Sequence, residues 1–197
     1  MKLPGLRLTM KIEDSGMPAE VYWNSLFDIG AIVDWLAISK NAAIVEIGCG
    51  YGSFTVPVAQ KTSGKVYAFD IDVEMLSATQ HNVQTAKLKN VELLHRDILD
   101  SGTGLVAESV DLVLLFNILH FSERRIFLAE AARILRKGGV VAVLHWRKDI
   151  ATPRGPAIEL RPDQAQILSA ASGLSLRFEG ISQLLPPYHW GMQLVKE

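Results

Sequence analysis

The chain has 197 residues, of which 49% are hydrophobic and 21% charged, and this suits one compact domain that buries a core of its own. The formal net charge of -1 gives no overall field that would attract nucleic acid or an anionic membrane surface. The single cysteine, Cys49, excludes an internal disulfide and a thiolate-rich metal cluster.

The same features set expectations about location and partners. The first residues soon turn polar, without the apolar stretch of roughly seven or more residues that a signal peptide needs, and no run approaches the ~20 apolar residues that span a bilayer. The five histidines show no close zinc-ligand spacing. We therefore expect a cytoplasmic monomer or homodimer that binds a small molecule, with no nucleic acid, membrane or metal partner.

Two short helices are predicted first, over 19–27 and 29–38, because Pro18 and Asp28 suit a helix N-terminus. After them, short apolar runs rich in β-formers alternate with helical stretches. The predicted strands are 43–47, 65–70, 91–95, 110–116 and 140–145, and the helices between them are 54–61, 73–88 and 122–135. Asp72 and Ser122 are predicted N-caps, and Gly138-Gly139 the exit from the third of these helices.

The end of the chain has a different pattern. A helix over 162–172, stopped by Gly173, precedes two strand-like runs, 176–184 and 190–196, joined by Pro186-Pro187-Tyr188. So short a turn cannot return the chain for parallel pairing, so the last strand should be antiparallel. The sequence therefore predicts a Rossmann-like, doubly wound, three-layer α/β/α fold with a seven-stranded, mostly parallel sheet that ends in a β-hairpin.

A glycine-rich loop follows the first predicted strand and leads directly into a helix. Gly48, Gly50 and Gly52 can take positive φ and let a ligand approach the backbone, while the helix presents free amides suited to a carboxylate or phosphate. Alone, this pattern is a weak signal, and a tight strand-to-helix turn is the alternative.

Two acids give the loop a context. Asp70 ends the second strand, 18 residues after Gly52, where a carboxylate can hold ribose hydroxyls. Asp97 follows the third strand, where an acceptor can bind an adenine amino group. Together they indicate an adenosine with an anionic tail.

The type of adenosine compound follows from what surrounds the loop. No lysine lies between Asn41 and Gln60, which disfavours a phosphate-binding P-loop. A dinucleotide fingerprint needs its third glycine one position later, where Ser53 stands. Glu46 beside the ligand would repel phosphates and suit an ammonium group.

Several motifs, in order, resemble those of the class I S-adenosylmethionine-dependent methyltransferases, of the small type 11-like kind. The loop from Glu46 to Gly52 matches that family's E/D-x-G-x-G-x-G. The further matches are Val66-Tyr67-Ala68-Phe69-Asp70-Ile71-Asp72, Arg96-Asp97-Ile98, Ser109-Val110-Asp111-Leu112-Val113 with Asn117-Ile118-Leu119-His120, and Leu135-Arg136-Lys137-Gly138-Gly139-Val140.

The resemblance implies a cofactor, S-adenosylmethionine with S-adenosylhomocysteine as product, and no metal. By it, the backbone of Gly48, Cys49, Gly50 and Gly52 would hold the methionine moiety, beside Glu46, and the backbone of Asn117 would meet the same end. Asp70 would hold the ribose, Ile71 one adenine face, and Asp97 with Ile98 the adenine edge. We expect a single domain in which 1–40 covers the site, 41–145 binds the cofactor and 146–197 faces the substrate.

The implied reaction is in-line methyl transfer to a small molecule, in which positioning supplies much of the rate enhancement. His120 and His145 are candidate general bases because each falls at or after a strand end; packing or a structural hydrogen bond is the alternative role. Tyr22, Trp23, Trp146, Arg147 and Arg154 are candidate substrate residues, against ordinary core packing for the aromatics and solvated or ion-paired arginines.

The arginines and lysine over 124–137 look basic, but Glu123 and Glu130 interrupt them, which indicates a solvated helix face. Leu185-Pro186-Pro187-Tyr188 lies in the wrong place for the Pro-Pro-Tyr motif of amino-group methyltransferases. Two other functions stay open: a non-catalytic subunit that binds S-adenosylmethionine or S-adenosylhomocysteine, and an NAD(P)-dependent oxidoreductase. The sequence leaves the acceptor atom undetermined.

Overall fold

The computed structural model describes residues 17–180 and 182–197. The strands are β1 (Ile44–Ile47), β2 (Val66–Asp70), β3 (Val91–His95), β4 (Val110–Phe116), β5 (Leu135–Trp146), β6 (Leu176–Phe178), β7 (Gln183–Leu185) and β8 (His189–Lys196). The helices are α1 (Glu20–Asn24), α2 (Ile29–Trp35), α3 (Thr55–Lys61), α4 (Val73–Thr85), α5 (Ile98–Ser101), α6 (Arg124–Ile134) and α7 (Gln164–Ala171), with a 3₁₀ turn at Ile158–Leu160.

The strands form one sheet in the order β3-β2-β1-β4-β5-β8-β6, and β7 also pairs with β8. The first five are parallel, whereas β8 is antiparallel to β5. This confirms the predicted mixed α/β sheet with an antiparallel last strand. Because the strand order reverses between β1 and β4, their carboxyl ends border the crevice where such sheets bind ligands.

The predicted strand 176–184 is interrupted. Its first part, β6, pairs with Leu194–Lys196 of β8, and its second part, β7, pairs with His189–Gly191. Gly180, with a φ of 137°, lies in the interruption, where a backbone of that shape cannot continue a strand. The sheet therefore has seven strand positions, of which one holds two short segments.

Helices cover both faces of the sheet. Alternate residues of β4 pack against different helices, as expected for a strand between two helical layers. Val113 and Leu115 of β4 belong to a cluster that includes residues of α6 and α7. Leu112 and Leu114 belong to the other cluster, with residues of α2 and α3. A strand buried on both sides reads as a continuous apolar run, and this produces the three layers.

The predicted caps met different outcomes. Asp28 and Asp72 accept hydrogen bonds from the backbone N–H groups of Ala31 and Glu74, as N-caps do. The prediction for Ser122 was wrong, because α6 starts at Arg124 and the Ser122 hydroxyl donates to the Glu123 carboxylate.

The third helix also ends differently from the prediction. Strand β5 begins directly after helix α6, because Leu135 already pairs with Val110 of β4, and Val140 then pairs with Leu112. Gly138-Gly139 therefore lies in an irregular stretch inside β5 rather than at a helix exit. Helix α5 was not predicted; it has 4 residues and depends on the Asp97 side chain, which accepts from Leu99 N–H.

Candidate active site

A cavity of about 710 Å³ lies at the carboxyl ends of the parallel strands. Its wall includes the ends of β1, β2, β4 and β5, the segment after β3, and a loop that follows β5. Met17, Pro18 and Trp23 close it from the N-terminal side. The rest of the predicted N-terminal cover, residues 1–16, lies outside the described residues.

The glycine loop approaches the cavity with the backbone shape that the sequence predicted. Gly48 has φ of 80° and Gly50 of 55°, a region that favours glycine. A Cβ at Gly48 would lie 2.9 Å from the Ile118 side chain, so a larger residue would force that wall to move. Cys49 also lines the cavity, and burial raises the pKa of its thiol, which keeps it protonated.

Helix α4 holds this loop from behind. The Thr79 hydroxyl donates to the Gly50 carbonyl at 2.7 Å, and the Asn82 amide donates to the Tyr51 carbonyl at 2.9 Å. A Cβ at Gly52 would lie 2.9 Å from Thr79 Cγ2. Gly52 does not line the cavity; the absence of its Cβ allows close packing on α4, and its predicted contact with the cofactor stays a prediction.

Asp70 links the second strand to the loop. One carboxylate oxygen accepts from Gly50 N–H at 2.8 Å and the other from Asp72 N–H at 3.0 Å. Burial raises the pKa of this carboxyl group, and the two backbone hydrogen bonds oppose that rise. Each carboxylate oxygen has a further lone pair, and Asp70 and Ile71 both line the cavity.

The second predicted acid opens onto the same space. Asp97 and Ile98 line the cavity, and Asp97 Oδ1 accepts from Leu99 N–H at 2.9 Å. Asn117 lines it as well, with a φ of 57°, a conformation in which asparagine is enriched. The structure thus brings Asp70, Asp97 and Asn117 together around one cavity.

Glu46 lies in the cavity wall but carries less charge than the sequence suggested. It is 2% exposed and accepts a hydrogen bond from the Thr55 hydroxyl. Burial raises the pKa of this carboxyl group to about 8; the Thr55 hydrogen bond opposes the rise, and nearby Asp70 adds to it. The expected negative charge is therefore mostly absent at neutral pH until a cation approaches.

Three predicted substrate residues line the cavity and two do not. Trp23, Trp146 and Arg154 are part of its wall. Tyr22 is 43% exposed and is not among the residues that line the cavity, so its contact with a substrate stays a prediction. Arg147 is not part of the wall, and its guanidinium donates to both carboxylate oxygens of Asp149, at 3.0 and 2.6 Å, which favours the ion-paired alternative.

The two candidate histidines differ in access. His120 lines the cavity, and its Nδ1–H donates to the Asn117 carbonyl at 3.1 Å, which leaves Nε2 as an acceptor. Burial lowers its pKa, so the ring is neutral at physiological pH. His145 is fully buried behind it, with ring centroids 6.1 Å apart. His145 does not line the cavity, and burial lowers its pKa to about 3, so these observations favour packing over a role as general base.

Arg161, which holds the loop after β5 by hydrogen bonds, was not predicted from the sequence. Arg161 is buried and donates to the carbonyls of Arg147, Pro156 and Arg154, at 2.5, 2.9 and 3.3 Å. Its guanidinium carbon also lies 6.0 Å from the centre of the Trp146 ring. These partners are 5 to 14 residues earlier in the chain, so no local pattern marks Arg161.

Basic residues of the α6 region are engaged with the fold itself. Arg133 is paired with Glu130, Arg136 with Asp111, and Arg125 donates to the carbonyls of Ala170 and Ser172. Within the described residues, no cluster of three or more potential metal ligands occurs. No helix in that part of the chain has the length and apolar character to cross a membrane.

The sheet order, with an antiparallel last strand after five parallel ones, defines a Rossmann-like methyltransferase fold. A SAM-dependent methyltransferase from Aquifex aeolicus superimposes with a TM-score of 0.77 at 23% identity, over 87% of this chain and 91% of that one. A type 11 methyltransferase from Sulfolobus solfataricus, described as putative, gives 0.71 at 25% identity, over 87% and 94%.

Residues 44–139 match the family described as "Methyltransferase domain". A ubiquinone/menaquinone biosynthesis C-methyltransferase UbiE from Campylobacter jejuni is 28% identical over 138 residues, which cover 64% of this chain and 57% of that protein. A 23S rRNA (uracil(1939)-C(5))-methyltransferase RlmD from Marinomonas posidonica is 32% identical over 82 residues, 41% of this chain but 18% of that protein. The chain thus spans less than two thirds of these curated relatives.

Residues 44–139 therefore match a methyltransferase domain, and the chain is similar to class I S-adenosylmethionine-dependent methyltransferases, type 11 members among them. The cofactor predicted from the motifs, S-adenosylmethionine, is the cofactor of this class.

Proposed function

We propose that this chain transfers a methyl group from S-adenosylmethionine to a small molecule. The observation that carries this proposal is a single cavity with two chemically different ends. One end has the glycine loop, Asp70 and Asp97, and the other has Trp23 and Trp146. A cavity of about 710 Å³ lies within the range of about 300–1,000 Å³ usual for small-molecule sites.

The first end fits an adenosyl amino acid. Gly48 lines the cavity with a φ of 80°, and because it has no Cβ a ligand can approach its backbone closely. Asp70 and Asp97 keep lone pairs for ribose hydroxyls and an adenine amino group, and exposed Ile71 offers an apolar face. Glu46, buried and easily ionised by a nearby cation, suits the ammonium group.

When bound, S-adenosylmethionine supplies a methyl group made electrophilic by its sulfonium. The residues of this chain then orient the acceptor and exclude water from it. His120 presents Nε2 as an acceptor because Asn117 fixes the other ring nitrogen as the donor. A hydroxyl or acidic C–H acceptor could give its proton to that atom.

A small acceptor is favoured over RNA by the pairing of several surface arginines and by the net charge of the chain. RNA-binding surfaces present clustered cations that contact phosphates, whereas Arg133, Arg136 and Arg147 are each paired with a carboxylate. The formal net charge is -1. The relative that acts on 23S rRNA matches this chain over only 18% of its own length.

Transfer of labelled methyl from S-adenosylmethionine tests this proposal. The protein is incubated with a small-molecule extract or, separately, with total RNA, and labelled products are separated by mass. We expect label in compounds of low molecular mass, and none with Asp70→Ala. Label in RNA alone would reject the small-molecule acceptor, and binding without any transfer would indicate a non-catalytic subunit.

A further inference from the structure

We propose that the methyl acceptor is a phenol, a flat aromatic ring with a hydroxyl group, and that His120 takes the hydroxyl proton as the methyl group passes to oxygen. This inference rests on the proposed function and concerns the end of the cavity formed by β4 and β5. Two independent features carry it: the aromatic wall of that end, and an imidazole ring that is held in position there.

The strand order separates the acceptor from the adenosyl group. The acids of the cavity wall lie at or just after the carboxyl ends of β1, β2 and β3; they are Glu46, Asp70, Asp72 and Asp97. Phe116 and His120 come from the end of β4, and Trp146 from the end of β5. Neighbouring strands are about 4.8 Å apart, so the cavity floor extends roughly 19 Å from β3 to β5. An adenosyl compound bound at the acids leaves the β4–β5 end for the acceptor.

The wall at this end is built from aromatic rings. Trp23 and Trp146 lie with ring centroids 6.2 Å apart at 66°, and Phe54 and Phe116 lie 4.9 Å apart at 86°. All four line the cavity. Edges and faces of rings in this arrangement favour a flat aromatic partner, because offset stacked and edge-to-face contacts are the preferred geometries.

These rings are held in place from behind, so the wall is shaped before an acceptor arrives. The buried ring of His189 lies 4.2 Å from Trp146 and stacks on Phe27 at 4.4 Å. Phe27 contacts both Trp23 and Phe54, at 5.0 and 5.3 Å. A preformed apolar wall reduces the ordering cost of binding and discriminates by shape.

The His120 ring is fixed at the same end of the cavity. Its Nδ1–H donates to the Asn117 carbonyl at 3.1 Å, and its centroid lies 4.0 Å from that of Phe121 and 6.1 Å from that of buried His145. Because Nδ1 carries the proton, Nε2 is the ring atom that accepts one. Burial lowers the pKa of His120, so the ring is neutral at physiological pH and able to take a proton.

A neutral imidazole suits an aromatic hydroxyl better than other acceptors. A hydroxyl oxygen attacks the methyl carbon, the bond from that carbon to sulfur breaks, and its electron pair stays on the sulfur of S-adenosylhomocysteine. The hydroxyl proton moves to His120 Nε2 and from there to water. An aromatic hydroxyl has a pKa of about 10, as in tyrosine, against about 16 for water, so a histidine base assists it effectively.

Amines are disfavoured by the same end of the cavity. Within the described part of the chain, no carboxyl group lines the β4–β5 end, so an alkylammonium group would be buried there without a counter-charge. A neutral amine attacks through its own lone pair and needs no base. His120 would then have no role in the reaction.

Transfer of a carbon-13-labelled methyl group to a small-molecule extract identifies the acceptor atom, because the chemical shift of the labelled carbon differs between oxygen, nitrogen, sulfur and carbon. We expect an aryl methyl ether. His120→Asn, whose amide can still donate to the Asn117 carbonyl but takes no proton, should transfer about 100-fold more slowly or worse, with unchanged affinity for S-adenosylhomocysteine. His81→Asn, at an exposed position on α4, should keep the wild-type rate.

The outcomes separate this inference from the proposed function. Label on nitrogen, sulfur, carbon or a carboxylate, or a wild-type rate in His120→Asn, would overturn the inference. The absence of any labelled product of low molecular mass would instead reject the proposed function.

A second measurement tests the aromatic wall on the complex with S-adenosylhomocysteine. Calorimetric titration compares 1-naphthol with its saturated analogue, decahydro-1-naphthol. We expect 1-naphthol to bind about threefold to tenfold tighter, as ring contacts imply. Trp23→Leu should reduce this preference, whereas Trp35→Leu, the same change on α2 outside the cavity wall, should keep it. Equal affinity for the two alcohols, or an unchanged preference in Trp23→Leu, would overturn the inference.

Discussion

Substitution of Glu46 by glutamine tests how the cavity recognises a cationic ligand. The carboxyl group is buried, and its pKa is raised from 4.5 to about 8. One pH unit below its pKa, a carboxyl group is about one-tenth ionised, so at pH 7 most molecules carry a neutral Glu46. A ligand ammonium group favours the ionised form, so binding must release a proton.

The magnitude follows from that equilibrium. The affinity for S-adenosylhomocysteine should rise up to about tenfold between pH 6 and 7 and level off above pH 8, with about 0.9 proton released per ligand at pH 7. Glu46→Gln should bind more weakly at pH 8, without the pH dependence or the proton release. Thr55→Val should move the rise to higher pH, because the Thr55 hydrogen bond lowers the pKa of Glu46.

The pH dependence of the stability of the ligand-free protein supplies a control, because the raised pKa of Glu46 fixes its direction. A carboxyl group with a raised folded-state pKa stabilises fully below its unfolded value, 4.5, and loses that contribution as the pH rises through about 8. Wild type and Glu46→Gln should therefore unfold at similar temperatures near pH 4.5, and the variant at the higher temperature at pH 9. Calorimetry in phosphate and Tris buffers measures the proton release. An affinity that stays flat from pH 6 to 7.5, or a slope that survives in Glu46→Gln, would refute the reasoning.

Three further predictions concern stability and binding. His145 and His189 have pKa values lowered by burial from 6.5 to about 3, so folding stability should fall as the pH drops below 6.5, by up to about 1.4 kcal/mol per histidine and pH unit. The buried Glu46 has the opposite pH dependence, so the comparison is made in Glu46→Gln, where equal urea midpoints at pH 7 and 5.5 would contradict this. Gly155→Ala should lower the free energy of unfolding by about 1–3 kcal/mol, and by more than Gly173→Ala does. A Cβ at Gly155 would meet the Trp146 ring, whereas a Cβ at Gly173 meets nothing within 4 Å. Thermal unfolding of the two variants measures the difference. Asp70→Ala should weaken S-adenosylhomocysteine about tenfold or more, with exposed Asp100→Ala unchanged as the titration control.

The sequence predicted those parts of the fold and the candidate site that depend on short-range patterns. Alternating strands and helices indicated the sheet, and the glycines of the loop do have positive φ. Asp70 and Asp97 were predicted near one ligand because both follow parallel strands, whose carboxyl ends meet at one edge of a sheet. The structure brings both into one cavity wall.

What the sequence could not predict depends on contacts between distant residues. Tyr22 and Trp23 are neighbours in sequence, yet one is outside the cavity wall and the other is part of it, because a helix turns successive side chains to different sides. Arg147 and Arg154 are on one loop, yet Arg154 lines the cavity whereas Arg147 does not and pairs with Asp149. The support of Trp146 by His189 joins residues of β5 and β8, and no local spacing reveals it.

The central claim is that the glycine loop, Asp70 and Asp97 together bind one adenosyl compound that carries no phosphate. Parallel calorimetric titrations of the wild-type protein with S-adenosylhomocysteine and with NAD test it most directly. We predict saturable one-to-one binding of S-adenosylhomocysteine with an affinity in the micromolar range or tighter, and no detectable heat with NAD. Binding of NAD without binding of S-adenosylhomocysteine would contradict the claim.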